Sequence, residues 1–211
     1  MNKRTYSSAA LTLLVVTVAA VIMNITKFYL RHYIFPIVLI VLPLLLDKGF
    51  KYKRNIISPS LKGLKLFLAV SGLVIVFYPF LFFFYWIYYK GYQFGIPSAA
   101  ALSDAVTKGL FAVVVAAIPE EFLFRGYLQE HVFKKFTSKI IGIITMKNLL
   151  TSILFGVVHA VAFLDITRAA TFFPSLLFGL FTEKSSGSIF YSVLFHTLSN
   201  ILAFILWGFI G

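Results

Sequence analysis

Apolar residues run along this chain in long blocks, with neither the strict alternation of strands nor the one-sided stripe of helices packed on a soluble core. Seven blocks stand out, at 8–26, 33–47, 64–89, 105–128, 147–164, 169–183 and 188–210. The longer ones pass the roughly 18 apolar residues that mark a helix crossing a bilayer. The second, fifth and sixth are short and would have to tilt or re-enter. The pattern predicts an all-α, polytopic membrane helix bundle of about seven transmembrane helices, laid out as a single membrane domain over 1–211 with N-terminal spans in 1–104. No internal repeat or low-complexity segment interrupts it.

Composition sharpens this picture. The chain is 60% hydrophobic and only 12% charged, against about a quarter charged in a soluble domain. The net charge of +12 sits in short loops: Lys3 and Arg4; then Lys48, Lys51, Lys53, Arg54 and Lys62; then Lys134, Lys135, Lys139 and Lys147. If every span crosses, these fall on one side, and the positive-inside rule puts the N-terminus in the cytoplasm and the C-terminus outside a cell membrane. Such loops meet anionic lipid; no basic, aromatic-interleaved polar surface exists for nucleic acid. The absence of cysteine excludes disulfides, thiolate zinc sites and cysteine nucleophiles. The basic, apolar start resembles a signal peptide, but its apolar stretch is too long and lacks a small-x-small site, so it is read as an uncleaved first span. The stretch 129–140 reads either as an interfacial amphipathic helix or as a solvated basic loop. The aromatic run 77–89 reads as lipid-facing surface.

The informative residues are the polar ones at depth. Glu120, Glu121 and Arg125 follow the apolar run "GLFAVVVAAI"; His159 lies in "FGVVHA"; His196 and Asn200 lie in "FHTLSN". Each charge near a helix centre costs about 2.5–3.5 kcal/mol, so it is a functional-site hypothesis by default. Glu121 and Arg125, four apart, share a helix face and can pair. Glu120 is rotated by about 100° and is left to face the bundle interior, as a general base would. Pro119 removes a backbone hydrogen bond and kinks the helix there. The rise per residue puts Glu120, His159 and His196 at similar depth. Asn148, Thr151 and Ser152 read as the interfacial start of a span with capping tendencies, and His32 and His131 as loop or interface residues.

A carboxylate, two imidazoles and an amide suit hydrolysis of an amide bond: a Glu and a His to activate water, a second His and an Asn to donate to the oxyanion. Glu120, His159 and His196 would also make a zinc set with an open position, although no HExxH helix is present.

The three segments "EEFLFR" (Glu120, Glu121, Arg125), "FGVVH" (Phe155, His159) and "HTLSN" (His196, Asn200) together resemble the motifs of the CPBP family, the CaaX proteases and bacteriocin-processing enzymes also called Abi proteins. The resemblance covers about residues 105–205, which would be the catalytic core. It implies an intramembrane endopeptidase that needs no cofactor, with zinc as the minority alternative. Glu120 with His159 would activate water, His196 and Asn200 would stabilise the oxyanion, and Glu121 and Arg125 would support the site. Phe155 is expected to pack. Eukaryotic relatives are drawn with eight helices, which sets eight beside the seven counted here. The partner would be a membrane-associated protein or peptide substrate. A compact chain without sorting signals looks prokaryotic, where bacteriocin leaders, self-immunity or sorting tails suit better than prenylated proteins. Two rivals use the same polar residues: a catalytically silent scaffold or immunity protein, and a proton-coupled carrier, which would more often show repeated halves.

Overall fold

A computed structural model describes residues 3–27, 31–51 and 57–210. Lys53 and Arg54 of the expected basic loop, and the side chain of Arg31, lie outside the described residues. Among those residues the chain forms seven main helices: α1 (Lys3–Ile25), α2 (Arg31–Leu46), α3 (Leu61–Tyr89), α4 (Ala99–Val132), α5 (Met146–Phe163), α6 (Phe172–Lys184) and α7 (Phe190–Trp207). Each falls on one of the expected apolar blocks. Helices α1, α3, α4, α5 and α7 are long and apolar enough to cross a membrane. Helix α6 has 13 residues, about 20 Å at 1.5 Å per residue, which falls short of a hydrocarbon core of about 30 Å.

Helix α4 is the centre. It packs against α1, α2, α5, α6 and α7, and residues 122–129 are buried without a break. This end of the helix is therefore enclosed by protein, while Leu110, Phe111 and Val114 earlier on α4 are exposed. Its Leu123, Phe124, Tyr127 and Leu128 meet Phe155 of α5, Phe178 and Phe181 of α6, and Phe195 of α7 in one core. Lipid-facing surface lies elsewhere: on α3, Phe77, Phe80 and Phe84 are exposed, while Phe82 turns inward against Trp207.

Pro119 acts on α4 by widening it. The helix leaves α geometry at Val113–Ala117, where the Ile118 N–H reaches back five residues to the Val113 carbonyl. A proline ring crowds the carbonyl four residues before it and has no N–H to give it, so the turn loosens rather than breaks. A second wide stretch spans Phe122–Val132. Such bulges are found most often at functional sites.

Two local expectations change. The stretch 129–140 is neither an interfacial amphipathic helix nor a plain loop. Helix α4 runs on to Val132, and the chain then forms a hairpin of β1 (Lys139–Ile141) and β2 (Ile144–Thr145). The cause is local: β-branched isoleucines flank Gly142, whose φ of 57° suits the first position of a two-residue hairpin turn. Asn148, Thr151 and Ser152 do not cap α5. Thr145 does, accepting from the Asn148 N–H at 3.3 Å, and the three are fully buried. Asn148 Nδ2 donates to the Leu176 carbonyl at 2.9 Å, and Ser152 Oγ donates to Asn148 Oδ1. Asn148, steadied by Ser152, thus ties α5 to α6, while Thr151 Oγ1 donates to the Lys147 carbonyl within α5.

Candidate active site

The two acids of α4 have different partners. Glu121 is fully buried, and its Oε2 accepts from Arg125 Nε at 3.2 Å, one turn along the same helix. Arg125, equally buried, donates from Nη2 to Ser175 Oγ on α6. Its guanidinium lies 5.5 and 5.7 Å from the ring centres of Phe155 and Phe178, close enough for cation–π attraction. The other oxygen of Glu121, Oε1, lies 3.1 Å from His196 Nδ1 on α7. A carboxylate oxygen beside Arg125 accepts, so the imidazole donates and Nδ1 carries a proton. The expected Glu121–Arg125 pair is present, and it extends into α6 and α7.

Glu120 has no such support. Its Oε2 is buried with no hydrogen bond among the described residues, 3.7 Å from His159 Nε2 and 3.9 Å from His196 Nε2. His159 Nδ1 donates to the Phe155 carbonyl one turn back at 2.9 Å, which leaves its Nε2 directed at Glu120. Both histidines therefore hold the same tautomer and turn the same nitrogen toward one carboxylate oxygen. The gaps exceed a direct hydrogen bond and are of the size one water bridges.

Two phenylalanines fix the rings. Phe155 stacks on His159 at 4.2 Å and 29°, and Phe178 stacks on His196 at 4.7 Å and 13°. Phe155 thus packs, as expected, and also orients a histidine. Asn200 lies one turn beyond His196 on α7, half-buried, and shares its face.

A cavity of about 250 Å³ opens beside Glu120 and His159. Its walls are mainly apolar, with Phe35 and Leu39 of α2, Phe124 of α4 and Phe163 of α5. His32, read as a loop or interface residue, is on α2 and lines this cavity. His131 ends α4 rather than lying in a loop. Its Nε2 is 3.2 Å from Asp47 Oδ2, which also accepts from the Tyr127 hydroxyl at 3.2 Å. Asp47 is buried, so this cluster ties the end of α2 to α4.

Among the described residues no group of three or more His, Asp or Glu side chains is arranged to hold a metal ion. The three residues of the expected zinc set, Glu120, His159 and His196, come together at the distances above without forming such a group.

Sequence reasoning missed Ser175 and Phe178. Ser175 is one hydroxyl in an apolar helix, and its partner lies 50 residues away. Phe178 is one of 25 phenylalanines. Neither position carries a local signal.

Residues 102–202 match the family model of the type II CAAX prenyl endopeptidases, Rce1-like. No curated protein and no solved structure matches the chain.

Proposed function

Because residues 102–202 form an Rce1-like domain of the CPBP family, we propose that this chain is an intramembrane endopeptidase whose water is activated by Glu120 and His159. The observation that carries the reading is Glu120 Oε2, buried with no hydrogen bond among the described residues, between the Nε2 atoms of two histidines from two other helices. A carboxylate oxygen in that setting is a base in search of a proton, and both neighbouring nitrogens are turned toward it.

Water adds through its oxygen to the scissile carbonyl carbon and gives a proton to Glu120 Oε2, with His159 Nε2 holding the water by accepting its second hydrogen. The carbonyl oxygen becomes an oxyanion. The Asn200 amide donates to it, and so does His196 Nε2 when that ring carries both protons. Glu121 on Nδ1 is the counter-charge for that form. The C–N bond then breaks as the proton passes from Glu120 to the leaving amine. Arg125 and His196 between them hold both oxygens of Glu121, which leaves Glu120 as the acid free to take a proton. Hydrolysis by this route uses protein groups and water alone.

The substrate is a membrane-associated peptide or protein, in keeping with the family's class. An extended segment would reach the site along the apolar cavity beside Glu120. The positive-inside rule supports a cytoplasmic N-terminus, with the basic loops facing anionic lipid.

The test uses purified protein in vesicles with a set of peptides carrying one apolar anchor, a farnesylated CaaX peptide among them, and mass spectrometry of the products. Wild type is expected to cleave at one bond, and Glu120→Gln to be slower by about 10²- to 10⁴-fold. Equal rates would remove Glu120 from the mechanism, and a wild type that cuts no peptide would remove the protease reading.

A further inference from the structure

Helix α6, too short to span the membrane, touches the site twice. Ser175 and Phe178 are three residues apart, on one face of the helix, and both are buried. Ser175 Oγ accepts from Arg125 Nη2, Arg125 Nε donates to Glu121 Oε2, and His196 Nδ1 donates to Glu121 Oε1. Phe178 lies flat against the His196 ring and also faces the Arg125 guanidinium. Their contacts end on Arg125 and His196, the groups that hold the reacting side of the site.

We infer that Ser175 and Phe178 are positioning residues: Ser175, through Arg125 and Glu121, fixes which nitrogen of His196 carries the proton, and Phe178 fixes the plane of that ring. The consequence for rate rests on the protease reading above; the placement of the proton does not.

The nitrogen donors of Arg125 are unequally matched. Nε is used by Glu121, Nη2 by Ser175, and Nη1 is buried without a partner among the described residues. Removing the Ser175 hydroxyl leaves two guanidinium nitrogens unpaired in an apolar setting, where unpaired polar groups are costly. The nearest acceptor is Glu121, and a guanidinium prefers to meet a carboxylate with two parallel bonds. To accept both, Glu121 must turn Oε1 away from His196. The imidazole then has no acceptor at Nδ1, and its proton moves to Nε2, whose 3.9 Å gap to Glu120 Oε2 one water bridges. Glu121, then held on both oxygens by Arg125, no longer serves as the counter-charge that lets His196 carry both protons and donate from Nε2 to the oxyanion.

The experiment reads the proton directly. Protein labelled with ¹⁵N-histidine is studied in micelles, with His196 signals assigned from a His196→Gln sample. Wild type is expected to show the Nδ1–H pattern at His196, Ser175→Ala the Nε2–H pattern, and Ser175→Thr, which keeps the hydroxyl, a return to wild type. Ser192→Ala is the control. It removes a buried hydroxyl contact between α6 and α7, the 2.7 Å approach of Thr182 and Ser192, and should leave His196 as it is. If Ser175→Ala does not fold, Ser175→Cys, a weaker acceptor of similar shape, puts the same question. On a cleaved peptide, kcat of Ser175→Ala should fall about tenfold with KM unchanged. An unaltered Nδ1–H pattern in the Ser175 variants overturns the inference even if the enzyme is a protease. The expected shift without any peptide cleavage upholds it and overturns the protease reading instead.

Discussion

Arg125 is the largest fully buried side chain among the described residues, and it is charged. Burying a lone guanidinium in a helix bundle costs far more than its partners return unless every charge is matched. Here Glu121, Ser175 and two aromatic faces share the task. Arg125→Met should therefore destabilise the fold by about 3–5 kcal/mol, because it strands Glu121 as a buried charge. Adding Glu121→Gln should recover most of that loss, since glutamine is neutral and can still accept from His196. Unfolding midpoints of the single and double variants in micelles check this; a double variant no more stable than the single would mean that the pair is not coupled. At this scale the sequence was legible only where partners are neighbours along one helix. Spacing of four predicts Glu121 with Arg125. It is silent on Glu121 with His196, 75 residues apart.

Helices meet here at small residues and loosened turns. Gly179 on α6 is one such place: a Cβ there would run into the Asn148 amide and lie 2.7 Å from Gln129 Oε1. Those two side chains clamp α6 to α4 and α5, with Gln129 Nε2 donating to the Gly179 carbonyl at 3.0 Å. Gly179→Ala should cost about 1–3 kcal/mol by overpacking, seen as a lowered Tm in micelles; an unchanged Tm would mean that the clamp gives way freely. Pro119 is the second place. The wide turn at Val113–Ala117 directly precedes Glu120, so Pro119→Ala, which restores the missing N–H, should let the turn tighten and rotate Glu120 away from the histidines. Activity is expected to fall while Tm holds or rises. A variant as active as wild type would show that the widening does not serve the site. The sequence signalled a disturbance at Pro119. It could not say that the helix would widen rather than bend, because that depends on the neighbours enclosing α4.

As a whole, the protein puts its most polar helix in the middle and leaves apolar faces to the lipid. Backbone and side-chain polar groups find no water in hydrocarbon, so the acids and the arginine lie where five other helices can satisfy them. Two predictions belong to this scale. If the five long helices are the ones that cross, reporter tags at the two ends are expected on opposite sides of the membrane, with the N-terminal tag cytoplasmic; both tags on one side would mean an even number of crossings. Peptide cleavage is expected to survive dialysis against a strong zinc chelator, and loss that zinc restores would move the mechanism to a metal. What the sequence determined by itself was the run of apolar spans, the residues able to do chemistry and the pairs one helical turn apart. All of these follow from composition and helical period, which are local. What only the tertiary structure decided was which spans enclose which: that α4 is central, that α6 supplies Ser175 and Phe178, and that both histidines turn the same nitrogen to Glu120. Those contacts join residues tens of positions apart, and packing rather than periodicity chooses them.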